Sequence, residues 1–169
     1  MALKPDRQHF ASDISMFFTG LTAERGGIVS VKTAGSGVAM DQSVAVADYQ
    51  VNSSLNGANG VNGSGFKPIG VLMCDVVNLD LIRQHRNFYK EEVQSGGKVT
   101  IWEKCDVVTN MLIPGITVAA GDNAYLACSG LITNVDIGAV ASPIVGYFKS
   151  KKNEDGFAKV SVNLPMARS

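Results

Sequence analysis

Short runs of alternating apolar and polar residues, separated by turn residues, fill the chain from Arg25 onward. Residues 27–31 form the first run, and residues 43–51 alternate apolar with small or polar side chains, the mark of a half-buried strand. Residues 67–77 are more continuously apolar, which predicts a central strand. Further strands are predicted at 98–102, 106–112, 123–128, 131–135, 144–150 and 157–164. Between them stand Gly121-Asp122, Ser129-Gly130 and Asn153-Glu154-Asp155-Gly156, whose Asp-Gly step favours a tight hairpin turn. Many short strands without helical periods between them predict an all-β fold, an antiparallel barrel or sandwich. The pattern leaves the choice between those two, and the strand order, open.

Three segments depart from this rhythm. Phe10, Ile14, Phe17, Phe18 and Leu21 recur at helical spacing, with Gly20 as a stop, so residues 1–25 read as an arm or short helix ahead of a β-rich domain at 26–169. Such a helix packs either on its own domain or, as an arm, on another subunit. Residues 55–65 carry Asn-Gly steps at Asn56, Asn59 and Asn62, residue types that tolerate positive φ. They read as a surface loop or as a loop packed on a neighbour, and they lack the Gly-Lys-Ser/Thr ending of a phosphate loop. The third segment is the densest in charge and aromatic character: Arg83-Gln84-His85-Arg86-Asn87-Phe88-Tyr89-Lys90-Glu91-Glu92. It reads as a short helix over residues 80–94, capped by Asp80, with Ile82, Tyr89 and Val93 inward and Gly96-Gly97 as its end, or as an irregular segment. Arg86 and Lys90 share a face of that helix, and Arg86 has Glu91, Glu92 or a partner's carboxylate to pair with.

Composition narrows the function. A chain of 169 residues fits one domain with a substantial core. Charged residues make up 18%, against about 25% in a typical domain, which leaves many Ser, Thr, Asn and Gly positions for neighbour contacts. Basic and acidic residues balance at 15 each, so no electrostatic footprint for nucleic acid or anionic membrane is expected. Phe88 and Tyr89 among basic residues suit base stacking, but the net charge and the adjacent glutamates argue against it. No stretch reaches the roughly 20 apolar residues of a membrane span. Lys4 and Arg7 are not followed by an apolar run, so synthesis in a cytoplasm is expected, and Asn52 and Asn62 in Asn-x-Ser sequences then carry no glycan. Cys74, Cys105 and Cys128 are far apart, lack zinc-like spacing and read as small buried hydrophobes in strands.

Candidate chemistry is sparse. His85 is the one histidine of the β-rich region, flanked by Asp75, Asp80, Glu91 and Glu92, with Cys74 nearby in sequence. A nucleophilic site needs a nucleophile, a base and an orienting carboxylate, and no Gly-x-Ser-x-Gly elbow occurs. Two histidines without a carboxylate cluster leave little for a transition-metal site. The expectation is a non-enzyme with no cofactor, metal or small-molecule substrate.

The order Gln84 to Gln94, followed by Gly96-Gly97-Lys98-Val99-Thr100-Ile101, resembles a segment of tailed-bacteriophage virion proteins. Ala120-Gly121-Asp122-Asn123-Ala124-Tyr125-Leu126, Ser129-Gly130-Leu131-Ile132-Thr133, Pro143-Ile144-Val145-Gly146-Tyr147-Phe148 and the ending Glu154 to Leu164 fit the same group. The likeness covers about residues 44–164 and is to head decoration, or cement, proteins. It implies a structural protein on the outer surface of the virion capsid, made in the host cytoplasm, a homotrimer that braces the major capsid protein. The interface residues then expected are Phe10, Ile14, Phe17 and Phe18 of the arm, Arg83, His85, Arg86, Phe88, Tyr89 and Lys90 of the charged segment, and Trp102. Trp102 shares a strand face with Lys98, Thr100 and Lys104. Two other readings stand beside this one: a tail or head-closure β-barrel protein, and a carbohydrate-binding β-sandwich.

Overall fold

The computed structural model describes residues 3–4, 12–18, 22–32, 46–48, 67–78, 92–136 and 142–164. Among them the chain forms β1 (Leu3–Lys4), β2 (Ser12–Phe18), β3 (Ile28–Lys32), β4 (Val46–Asp48), β5 (Pro68–Leu72), β6 (Asp75–Val77), β7 (Glu92–Gln94), β8 (Lys98–Thr109), β9 (Asn123–Leu126), β10 (Ile132–Thr133), β11 (Ile144–Phe148) and β12 (Ala158–Asn163), with one 3-10 turn at Cys128–Gly130. The fold is all-β, as the alternation predicts.

The sheet runs β10-β9-β11-β12-β8-β2-β4-β3-β5, and β5 pairs with β8 again. That last pairing, Val71 with Trp102 and Leu72 with Ile101, closes a barrel-like ring of β8, β2, β4, β3 and β5. Its interior holds Phe18, Val29, Leu72, Val99 and Ile101, with Cys74 and Val76 beside them. The other arm of the sheet, β12-β11-β9-β10, folds over the outside of β3 and β5. There Ile28 and Val71 join Cys105, Val107, Leu126, Ile132, Phe148, Val160 and Val162 in a second core. Barrel and sandwich are therefore both present, joined through β8. A bridge between Leu112 and Ile132 covers the free edge of β10 with the chain that continues β8, and so hides backbone groups that would otherwise template pairing with another chain.

The continuous apolar run at 67–77 follows from this arrangement. Gly70, Val71 and Leu72 are buried in succession because Val71 faces the sandwich core and Leu72 the barrel core. Pro68, which has no N–H to donate, stands first in β5, where β3 shows a register irregularity between Val29 and Ser30. The run then breaks at Met73 and Cys74, and β6 begins at Asp75.

The two strands expected at 98–102 and 106–112 are one. β8 pairs along one edge with β12 (104–109) and β5 (101–102), and along the other with β2 (98–104) and β1 (108–109). Against β2 the register jumps from Ser12↔Lys104 to Asp13↔Trp102, which leaves Glu103 as the extra residue of a β-bulge. A bulge reverses which face a strand presents. Ile101 accordingly points into the barrel, and Cys105 and Val107 into the sandwich. At the end of β8 the buried Thr109 hydroxyl donates to the Gly26 carbonyl (2.9 Å) and accepts from the Met111 N–H (3.0 Å), tying the strand to the turn before β3.

The helix expected from Phe10, Ile14, Phe17, Phe18 and Leu21 is overturned: Ser12–Phe18 is a strand. The same residues carry a period of two, with Ile14, Met16 and Phe18 alternating with Asp13, Ser15 and Phe17. Phe, Ile, Ser and Asp are mediocre helix formers, and the long edge of β8 decides the outcome. Residues 12–18 do not stand apart from the β-rich domain; they wall the barrel, and Phe18 is 1% exposed inside it. Phe10 lies outside the described residues.

Two glycines are set by close approach or turn geometry. A Cβ on Gly146 would sit on the Ser161 carbonyl oxygen of β12, so no larger residue fits there without moving that strand. Gly156, at φ +86°, closes the β11–β12 hairpin, where the Asn153 side chain accepts from the Phe157 N–H at 2.8 Å. Phe18→Ala is expected to cost about 3–5 kcal/mol. Gly146→Ala is expected to cost about 1–3 kcal/mol from overpacking. Urea denaturation checks both: the midpoint drops while the slope stays near that of the native chain.

Candidate contact surfaces

The charged segment is held by a two-stranded parallel sheet. β6 and β7 pair with Asp75 opposite Glu92, Val76 opposite Val93 and Val77 opposite Gln94. Parallel neighbours need a crossover of about a dozen residues or more, and residues 79–91 supply it. Arg83, His85, Arg86, Phe88, Tyr89 and Lys90 lie outside the described residues. The neck that holds them is well fixed. Ala23 and Val76 exchange both backbone hydrogen bonds (2.9 and 2.8 Å), the Ser95 N–H donates to Val77 (2.9 Å), and the Asp75 carboxylate accepts from the Arg25 N–H (2.8 Å).

The helix expected to continue to Val93 and stop at Gly96-Gly97 does not. Residues Glu92–Gln94 are strand β7, and Val93 packs half-buried against the barrel core. Gly96 and Gly97 instead turn the chain into β8, with Gly96 at φ +80° and the Gly97 N–H donating to Gln94 at 2.8 Å. The backbone groups of β6 give β7 partners that a helix would have to forgo. Beside the neck lies an open cleft of about 580 Å³, lined by Thr22, apolar Ala23, Val76, Val77 and Met111, and acidic Glu24, Asp75 and Glu92.

A second surface is the outer face of the sandwich sheet. The registers place Asp106 of β8, Ser161 of β12, Tyr147 of β11 and Asn123 of β9 in one row across four strands. Tyr147 is 46% exposed at its centre. The Lys149 ammonium bonds the Asp106 carboxylate at 2.6 Å and lies 5.7 Å from the Tyr147 ring centroid, close enough for a cation–π attraction. Lys104 and Lys159 lie on the same face, paired with Asn163 and Val108. At Asp106, burial raises the carboxyl, but hydrogen bonds from Lys149 and Ser161 and the charges of Lys149 and Lys159 outweigh it and hold it below its ordinary value. The Asp106 hydrogen bond in turn raises Lys149.

Trp102 is half-buried against the sandwich core, opposite Val71, while Lys98, Thr100 and Lys104 are exposed. Of the residues expected at an interface, Ile14 and Phe17 take places in β2 opposite Ile101 and Lys98, and Phe18 is interior. Of these, Phe18 is buried and Trp102 is half-buried. The sequence reading missed Tyr147 and Lys149. Val145 is an extra residue in the pairing of β11 with β9, so the run from Ile144 to Phe148 does not alternate, and only the register shows which of its side chains face out.

Of the cysteines, Cys74 and Cys105 are buried as expected, but only Cys105 lies in a strand; Cys128 is half-buried in the 3-10 turn. Burial, with the nearby Asp106 charge adding to it, pushes the Cys105 thiol up to about 12, so it stays protonated at neutral pH. Among the described residues no three His, Cys, Asp or Glu side chains are grouped to hold a metal ion. None of the described helical residues forms a helix long and apolar enough to cross a membrane. No family model matches the chain, and no curated protein matches it.

The loop ahead of β9 is latched by Asp122, whose carboxylate accepts from the Ala119 N–H and the Asn134 side chain, both at 2.9 Å. The Ala119 N–H, then Asn134, hold this carboxyl below its ordinary value of 3.8 against a smaller opposing effect of burial. A carboxyl depressed in the folded state contributes stability above its unfolded value, which is lost as pH falls through the folded one. The contributions of Asp106 and Asp122 are therefore present at neutral pH and are lost below 3.8. Lys149, raised in the folded state, contributes below 10.5 and loses that contribution at still higher pH. Urea midpoints measured against pH should show Asp106→Asn and Asp122→Asn less stable than the native chain at pH 7 and converging with it in acid.

Proposed function

We propose that the protein is a structural virion component of the head-decoration type, which grips the outer surface of a capsid through residues 79–91 and braces the lattice of the major capsid protein. The observation that carries this reading is the β6–β7 neck. A small parallel sheet, stitched to the barrel at Ala23 and through Val76 and Val93, holds both ends of the most charged and aromatic segment of the chain. A segment tethered at both ends gives up less entropy on binding than a free tail, which favours a contact role. Arg and Tyr dominate energetic centres of protein interfaces, and this segment supplies Arg83, Arg86 and Tyr89. On a shell the same modest contact repeats many times, so weak single sites suffice. The half-buried packing of Trp102 on the core speaks against the carbohydrate-binding reading, which needs its aromatic rings free for stacking.

Electron microscopy of undecorated phage shells mixed with the purified protein tests the proposal. Added density at repeated positions on the shell is expected. The triple variant Arg83→Ala, Arg86→Ala, Lys90→Ala should melt like the native protein and lose that density. Bare shells with the native protein would sink the reading.

A further inference from the structure

We draw no further inference here: the strongest candidate, the outer face of the sandwich sheet where Tyr147 stands exposed with Lys149 beside its ring, carries nothing because nothing in the structure shows what covers it.

Discussion

Strand β8 carries the rest of the fold because it must serve two cores at once, the barrel's and the sandwich's, within one sheet. Its backbone is paired on both edges, with β12 and β5 on one side and β1 and β2 on the other. Buried N–H and C=O groups need partners, and a strand of this length finds them only by passing from the barrel into the sandwich. Passing between two cores requires the apolar face to change sides. The bulge at Glu103 does this, so Ile101 serves one core and Cys105 the other. The Leu164 N–H donates to the Glu103 carbonyl at 3.0 Å, which holds the end of β12 against the bulge.

Both candidate surfaces inherit their geometry from that junction. The tyrosine row exists only because β8, β12, β11 and β9 keep register across four strands, and the irregularity at Val145 sets Tyr147 outward. The parallel neck is anchored from the other side, where Val76 and Val93 pack on the barrel core that Val99 and Ile101 of β8 help to fill. A disturbance at Glu103 would therefore reach both surfaces through packing, although neither contains it. Buried Thr109 does the same work at the far end of β8, where its hydroxyl fastens the Gly26 carbonyl.

Most strands were legible where burial is one-sided and the turn chemistry is strong. Residues 123–128, 144–150 and 157–164 announced β9, β11 and β12, and Asp155-Gly156 announced the hairpin between the last two. The failures have definite causes. Ser12–Phe18 carries helical and strand periods together, and the edge of β8 chose between them. Glu103 and Lys104 looked like a break between two strands because a bulge with a charged residue interrupts alternation as a turn does. Val93 seemed to be the inner face of a helix until a parallel partner claimed it. Of the candidate site, the sequence picked out the charged segment at 83–92 but not Tyr147, whose exposure depends on neighbours far away in the chain.

The amino-acid sequence by itself determined the all-β class, the position of most strands and the turns between them, because local alternation and the backbone preferences of Gly, Asn and Asp act over a few residues. Only the tertiary structure decided that barrel and sandwich share one strand, that the N-terminal run is a wall of the barrel, and that Tyr147 and the cleft at Asp75 form surfaces. Those outcomes rest on pairings between residues tens of positions apart, such as Asp13 with Trp102 and Tyr147 with Ser161, and on a bulge whose effect appears only once its partners are in place.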